Sequence, residues 1–295
     1  MGEIFGIPSA ALFGQLLIGL INGSFYALLS LGLAVIFGML NIINFAHGAQ
    51  YMLGAVAAYL LLQSTGLGYW PALIIAPIVV GAAGILIERF FLQWLYKLDH
   101  LYGLLLTFGL ALILEGVARH HFGSAGLPYT LPDSLRGGRN LGFMFLPNYR
   151  LWVIVASLTV CLGTWFVIER TKFGSYLRAA TENPTLVRAF GINVPRMITL
   201  TYGFGVALAA FAGVMAAPIY NVSPNMGSEL IIVVFAVVVI GGMGSILGAI
   251  VTGFGLGVIE GLTKVFFPEA SNTVIFVIMA LVLLVRPAGL FGRRA

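Results

Sequence analysis

Apolar residues in this chain come in long uninterrupted runs, and polar residues collect in short stretches between them. Runs at about 11–39, 49–64, 71–94, 102–119, 151–168, 197–220, 229–241, 246–267 and 273–289 are dominated by Leu, Ile, Val, Ala, Phe and Gly. Most approach the ~20 residues a helix needs to cross a hydrocarbon core of about 30 Å. None shows the short alternating segments of a membrane β-barrel. The pattern predicts an all-α, polytopic transmembrane helical bundle with broken helices and about 8–9 membrane segments. The run 229–241 is short for a full span and is expected to be either a half-helix or a short crossing.

Composition strengthens that reading. Only 8% of the residues are charged and 60% are hydrophobic, whereas a soluble domain carries roughly 25% charged residues. One bundle over residues 1–295 is the economical organisation, with no soluble domain beside it. No basic region precedes the first apolar run, so a cleaved signal peptide is not expected. The net charge of +5 reads as loop bias rather than nucleic-acid binding, because no Lys/Arg cluster with interleaved aromatics occurs. Arg170, Lys172, Arg178, Arg188 and Arg196 place the loop 169–196 in the cytoplasm. Stepping one crossing at a time then puts the C-terminus inside and, with nine crossings, the N-terminus outside. The outer stretch 119–150, with Arg119, Arg136, Arg139 and Arg150, runs against the bias. Cys161, the single cysteine, lies in an apolar run and reads as a small buried hydrophobe.

The decamer NIINFAHGAQ, residues 41–50, sets Asn41, Asn44, His47 and Gln50 three apart between two apolar runs. On a regular helix each step of three falls about 60° short of a full turn, so the four would sweep half the circumference. A 3₁₀ stretch would align them on one face, and Gly38 and Gly48 bracket the segment. Irregular backbone at membrane depth survives only where it is buried in protein or lines a cavity. Two readings compete: hydrogen-bond glue between helices, worth about 0.6–2 kcal/mol per contact, or a lining of the substrate path beside a broken helix. A cytoplasmic turn is a third, against which stands the absence of Lys and Arg.

Glycine carries two further signals. Gly244/Gly248, Gly253/Gly257 and Gly257/Gly261 have the small-xxx-small spacing that lets helices approach. In GGMGS, Gly241, Gly242 and Gly244 crowd five positions and predict a helix break.

Within the cytoplasmic loop, Asn183-Pro184 is an N-cap and N1 pair, and Gly191 suits the end of the same short helix. Leu186, Val187 and Phe190 are expected to form one apolar face, with Arg188 on another. Two turns are too few to stand alone, so this face needs a partner: the membrane interface, its own loop, or another subunit. The chain has no GK[ST] and thus no phosphate-binding loop. If transport is active, energy comes from an ion gradient or a separate ATPase. Among candidate ion-coupling carboxylates, Glu88 sits beside Arg89, Glu115 lies near a span end, and Glu260 precedes Lys264 by four, a helical pair. Glu229 opens a short helix, where its charge suits the dipole. His120 and His121 lie near Glu115 without a zinc-protease spacing. No metal or cofactor is expected.

NGSFYALLSLGLAVIFGMLNIINFAHGAQYMLGA (22–55) closely resembles the opening of permease subunits of high-affinity branched-chain amino acid ABC importers. RAATENPTLVRAFGINVPRMITLTYGFGVALAAFAGVMAAP (178–218) is similar to the coupling loop and next span of that family. VVIGGMGSILGAIVTGFGLGVIEGL (238–262) and LLVRPAGLFGR (283–293) match as well, in the same order, and favour its H-type member over the M-type. The outer loop 121–149 carries least of the resemblance.

The resemblance implies a multi-pass inner-membrane permease paired with a second homologous permease, two ATP-binding cassette subunits and a periplasmic binding protein. It implies transport by alternating access, without catalysis by this chain. It also implies ATPase docking by the loop, for which Glu182, Leu186, Val187, Phe190 and Gly191 are the candidates. Ala179, Ala180 and Glu182 precede Gly191 by more residues than the family's common spacing. Asn41, Asn44, His47 and Gln50 become candidate pathway residues. Urea or short-chain amide importers have closely similar permeases, and an ion-coupled transporter or a channel is the alternative of a different class.

Overall fold

The computed structural model describes the chain except residues 1, 2, 5, 6, 41, 97, 143 and 293–295, with backbone alone at 3, 4 and 7. Eleven α-helices follow one another among the described residues. They are α1 (Ser9–Leu40), α2 (Ala46–Thr65), α3 (Tyr69–Phe90), α4 (His100–Phe122), α5 (Asn148–Arg170) and α6 (Lys172–Glu182). After them come α7 (Pro184–Ala189), α8 (Val194–Tyr220), α9 (Met226–Gly241), α10 (Ile246–Phe266) and α11 (Val274–Val285). Two short antiparallel ladders, Glu3–Ile4 with Ile7–Pro8 and Gly138–Asn140 with Phe145–Pro147, and 3₁₀ turns at Leu92–Trp94, Asp133–Leu135 and Pro268–Ala270 complete the secondary structure among the described residues.

Each apolar run expected from the sequence coincides with a helix, α1–α5 and α8–α11. Six of these are long and apolar enough to cross a bilayer: α1, α3, α4, α5, α8 and α10. The other three fall short for different reasons. Helices α9 and α11 have 16 and 12 residues, and α2 has the length but is diluted by His47, Gln50 and Gln63. The protein is a polytopic helical membrane protein.

Local signals fix many of the helix ends. Asp99 accepts from Leu101 N at 2.9 Å to open α4, and Ser245 accepts from Gly248 N at 3.1 Å to open α10. Gly66, at φ 70°, closes α2 by donating to Leu62 O.

The helices pack as two compact units drawn from interleaved stretches of chain. One unit comprises Met1–Ser30, Leu131–Cys161 and Val233–Ala295. Its organising contact is the small-residue stripe of α10 against the first half of α1. A Cβ on Gly253 would lie 2.5 Å from Ala27 Cα, one on Gly257 2.4 Å from Gly23 Cα, and one on Gly261 3.0 Å from Gly19 Cα. The Tyr26 hydroxyl crosses the same seam and donates to Glu260 at 2.7 Å. Gly248 differs from its expected role, because it packs on the Gly241 carbonyl at the end of α9.

The second unit comprises Leu31–Thr130 and Leu162–Ile232. Ile36, Val80, Leu92, Tyr202, Val206 and Ala210 form a core between the end of α1, α3 and α8. Glycine again permits the approach: Gly54 meets Ala210, Gly81 meets the Gly203 carbonyl, and Gly213 meets the Tyr51 carbonyl. Helix α4 lies alongside α2 in parallel register. Phe45 and Phe108 stack edge-on at 6.1 Å, and Tyr59 and Phe122 do so at 6.3 Å.

Candidate functional site

The polar decamer is where α1 gives way to α2. Asn41 lies outside the described residues, Ile42 to Asn44 are non-helical, and α2 starts at Ala46 with the Asn44 carbonyl accepting from His47 N at 3.2 Å. Among the described residues the departure from regular helix is therefore a non-helical break rather than a 3₁₀ run. Its backbone is served from α4. Thr107 Oγ1 accepts from Phe45 N at 3.2 Å, and the Ile43 carbonyl lies 3.2 Å from the same hydroxyl. That satisfaction is what irregular backbone at membrane depth requires.

The break brings Asn44, His47 and Gln50 into the interior of the unit, at 0–1% exposure. Two of them converge on Tyr202 of α8. Asn44 Nδ2 donates to Gln50 Oε1 and to Tyr202 Oη, each at 3.2 Å, and Gln50 Nε2 donates to Tyr202 Oη at 3.1 Å. His47 packs on α1, where a Cβ on Gly32 would lie 2.9 Å from its Cε1. Asn44 Oδ1 is buried with no hydrogen-bond partner. Exchanging the ends of both amides turns the unmatched acceptor into an unmatched donor without removing it. Thr107 and Tyr202 were not among the sequence candidates; their only signal is a polar group inside an apolar run.

At the loop, α6 is pinned to the end of α5. Gly174 fits against the Ile168 carbonyl with no room for a Cβ, and Arg178 donates to that carbonyl at 2.7 Å. Asn183 accepts from Leu186 N at 2.9 Å to open α7, and Gly191 follows its end at φ 79°. Leu186 and Phe190 are 54% and 77% exposed, and Glu182 is exposed at the end of α6. Val187 differs from expectation. It lies about 100° round the helix from Leu186 and is buried within the subunit rather than exposed beside Leu186 and Phe190.

Beside this loop Glu88 joins the end of α3 to the start of α8. It is 2% exposed and accepts from the Tyr96 hydroxyl at 2.5 Å and the Thr199 hydroxyl at 2.7 Å. Its expected neighbour Arg89 faces outward instead. Burial first, then the Glu88 carboxylate, pushes the Tyr96 phenol well above its usual pKa. In the segment after α4, burial raises the Tyr129 phenol to about 12. Glu260 pairs with Lys264 as its spacing predicted.

A family model described as "Branched-chain amino acid transport system / permease component" matches residues 15–284. The chain belongs to this permease family. It is 34% identical to BraD of Pseudomonas aeruginosa, a high-affinity branched-chain amino acid transport system permease protein, over 95% of both chains. To LivH of Escherichia coli it is 30% identical, again over 95% of both. To the permease LivM of Escherichia coli it is 29% identical over 90% of this chain and 67% of LivM.

In this permease the GGMGS stretch separates two helices. Helix α9 stops at Gly241, Gly242 and Gly244 take φ of 99° and 80°, and α10 starts at Ile246. The C-terminal segment folds back here. Leu290 N donates to Ile240 O at 2.8 Å and Phe291 N to Gly241 O at 3.1 Å, supplying carbonyls that α9 cannot satisfy itself. Gly242 must be small as well as left-handed, since a Cβ would lie 2.4 Å from Gly292 N.

Proposed function

We propose that this permease is the membrane-spanning subunit of an ATP-driven importer for branched-chain or other hydrophobic amino acids. It works by alternating access, in the inner membrane, as one permease domain. The observation that carries this reading is the exposed helical loop α6–α7, set into a membrane bundle whose sequence has no GK[ST] phosphate-loop motif. Leu186 and Phe190 offer an apolar face to the ATPase, with Glu182 and Gly191 at its edges.

Similarity to both LivH-type and LivM-type permeases supports pairing with a second homologous permease, above two ATPase subunits and below a periplasmic binding protein. Ten of the fifteen Lys and Arg residues fall on the loop side and C-terminal side of the chain, which favours a cytoplasmic loop and C-terminus and a periplasmic N-terminus. Asn44, His47 and Gln50, with Tyr202 added, belong to the moving part of the pathway. The unmatched buried end of Asn44 supports this, because packing alone gives no reason to keep it. Ion coupling is disfavoured, since Glu88 and Glu260 are each occupied by hydroxyl or ammonium partners within the subunit.

The test is uptake of radiolabelled leucine into proteoliposomes holding the full assembly. Uptake should require ATP and the ATPase subunits and survive a proton uncoupler. Uptake by this chain alone, abolished by the uncoupler, refutes the proposal; uptake of urea in place of leucine moves it to the amide importers.

A further inference from the structure

Helix α9 begins well inside the membrane. Gly48 and Gly227 touch through their backbones, since a Cβ on Gly48 would lie 2.6 Å from the Gly227 carbonyl. Tyr59, eleven residues beyond Gly48 on α2, is level with Phe122 at the end of α4. Eleven residues span about 16 Å, roughly half of a ~30 Å core. The start of α9 is thus near mid-depth, whichever way the chain is oriented.

Polar side chains gather on the surface between that point and the end of α4. Arg119, Asn225, Ser228 and Glu229 are exposed and Glu115 is half-buried. Arg119 donates to Asn225 Oδ1 at 2.7 Å, and Ser228, beside Glu115, donates to the Asn225 carbonyl at 3.0 Å. Round the helix from Arg119 and Glu115, α4 presents Ile113 and Val117 outward, as a helix against lipid would. An ionisable side chain left in the hydrocarbon core is costly, about 2.5–3.5 kcal/mol on insertion scales. The strip therefore does not face lipid.

Resting on the reading of the chain as an importer permease, we infer that this strip lines the aqueous substrate path, which this subunit forms against its partner permease. The occupant is a zwitterionic amino acid with its water. Arg119 suits the carboxylate end, and Glu115 and Glu229 suit the ammonium end. The buried break at Asn44 lies behind this surface, with Gly48 joining the two.

Cysteine accessibility in the assembled transporter tests the inference. Cys161, the only cysteine, is buried and is replaced in the background variant Cys161→Ser. Ser228→Cys, and Asn225→Cys as a second probe, are treated with a charged, membrane-impermeant methanethiosulfonate; Ile113→Cys, on the opposite side of α4 from Glu115, serves as the lipid-facing control. Reactivity follows thiolate formation and water access, so both strip cysteines should react about tenfold or more faster than the control. Leucine delivered with its binding protein should slow the reaction, and modification should block uptake. Labelling only by lipid-soluble N-ethylmaleimide, or by neither reagent, in a transporter that still takes up leucine overturns the inference. Leucine uptake in the Cys161→Ser background that needs neither ATP nor the ATPase subunits would overturn the importer reading instead.

Discussion

Gly257 and Gly255 lie two residues apart on α10, and replacing each by alanine separates packing from helix propensity. A Cβ on Gly257 would sit 2.4 Å from Gly23 Cα and N and 2.5 Å from the Gly19 carbonyl, all backbone atoms of α1. Carbon atoms prefer separations of about 3.5–4.0 Å, so α1 and α10 must part by about 1 Å. Overpacking of that kind costs about 1–3 kcal/mol. Against it stands the gain of about 1 kcal/mol from replacing glycine inside a helix. Gly255 has nothing within 4 Å of its Cβ position, so Gly255→Ala collects the propensity gain with no clash. The difference between the variants cancels the propensity and leaves the packing contribution, about 1–3 kcal/mol against Gly257→Ala.

The assay is equilibrium unfolding of the purified permease in mixed micelles by SDS titration, followed by tryptophan fluorescence. Both variants are measured against wild type at one detergent composition. Gly257→Ala should unfold at lower SDS fraction than wild type, and Gly255→Ala at the same fraction or higher. The Tyr26–Glu260 bond crosses the same seam, so Tyr26→Phe should weaken the protein less once Gly257 is alanine. Equal stability of the two glycine variants would refute the α1–α10 packing.

Tyr202→Phe leaves the Asn44 and Gln50 amides without their shared acceptor, and an unsatisfied buried polar group costs about 1–3 kcal/mol. If the cluster serves transport, leucine uptake should fall further than the amount of assembled transporter; parallel losses of the two, measured by uptake and pull-down, would favour glue. Phe190→Asp places a charge on the exposed face of α7, and should leave membrane insertion intact while breaking the link between hydrolysis and uptake. Unchanged substrate-stimulated ATPase activity in that variant would remove Phe190 from the docking face.

Features set by neighbours in sequence were legible before the structure; features set by distant partners were not. The apolar runs announced every long helix, and Asn183-Pro184 announced the opening of α7. The period of three in Asn41, Asn44, His47 and Gln50 announced a break, because no regular helix brings four such positions to one partner. Tyr202 stayed hidden, since it meets Asn44 across 158 residues and looks in sequence like any membrane tyrosine. The stripe Gly253, Gly257 and Gly261 promised a close approach without saying to which helix. Val187 shows a different limit. In a six-residue helix, positions i, i+1 and i+4 mark an apolar arc wide enough to be shared, and the body of the subunit took one edge of it while Leu186 and Phe190 kept the other. The depth of α9 shows the last. Its 16 residues mark it as short for a crossing, but shortness alone fits a helix starting at either face. Only the register of α2 on α4, set by two aromatic pairs, and the glycine contact between α2 and α9 put its first turn at mid-depth. That placement turns Ser228 and Glu229 from an ordinary helix start into charged and polar groups where lipid would not accept them.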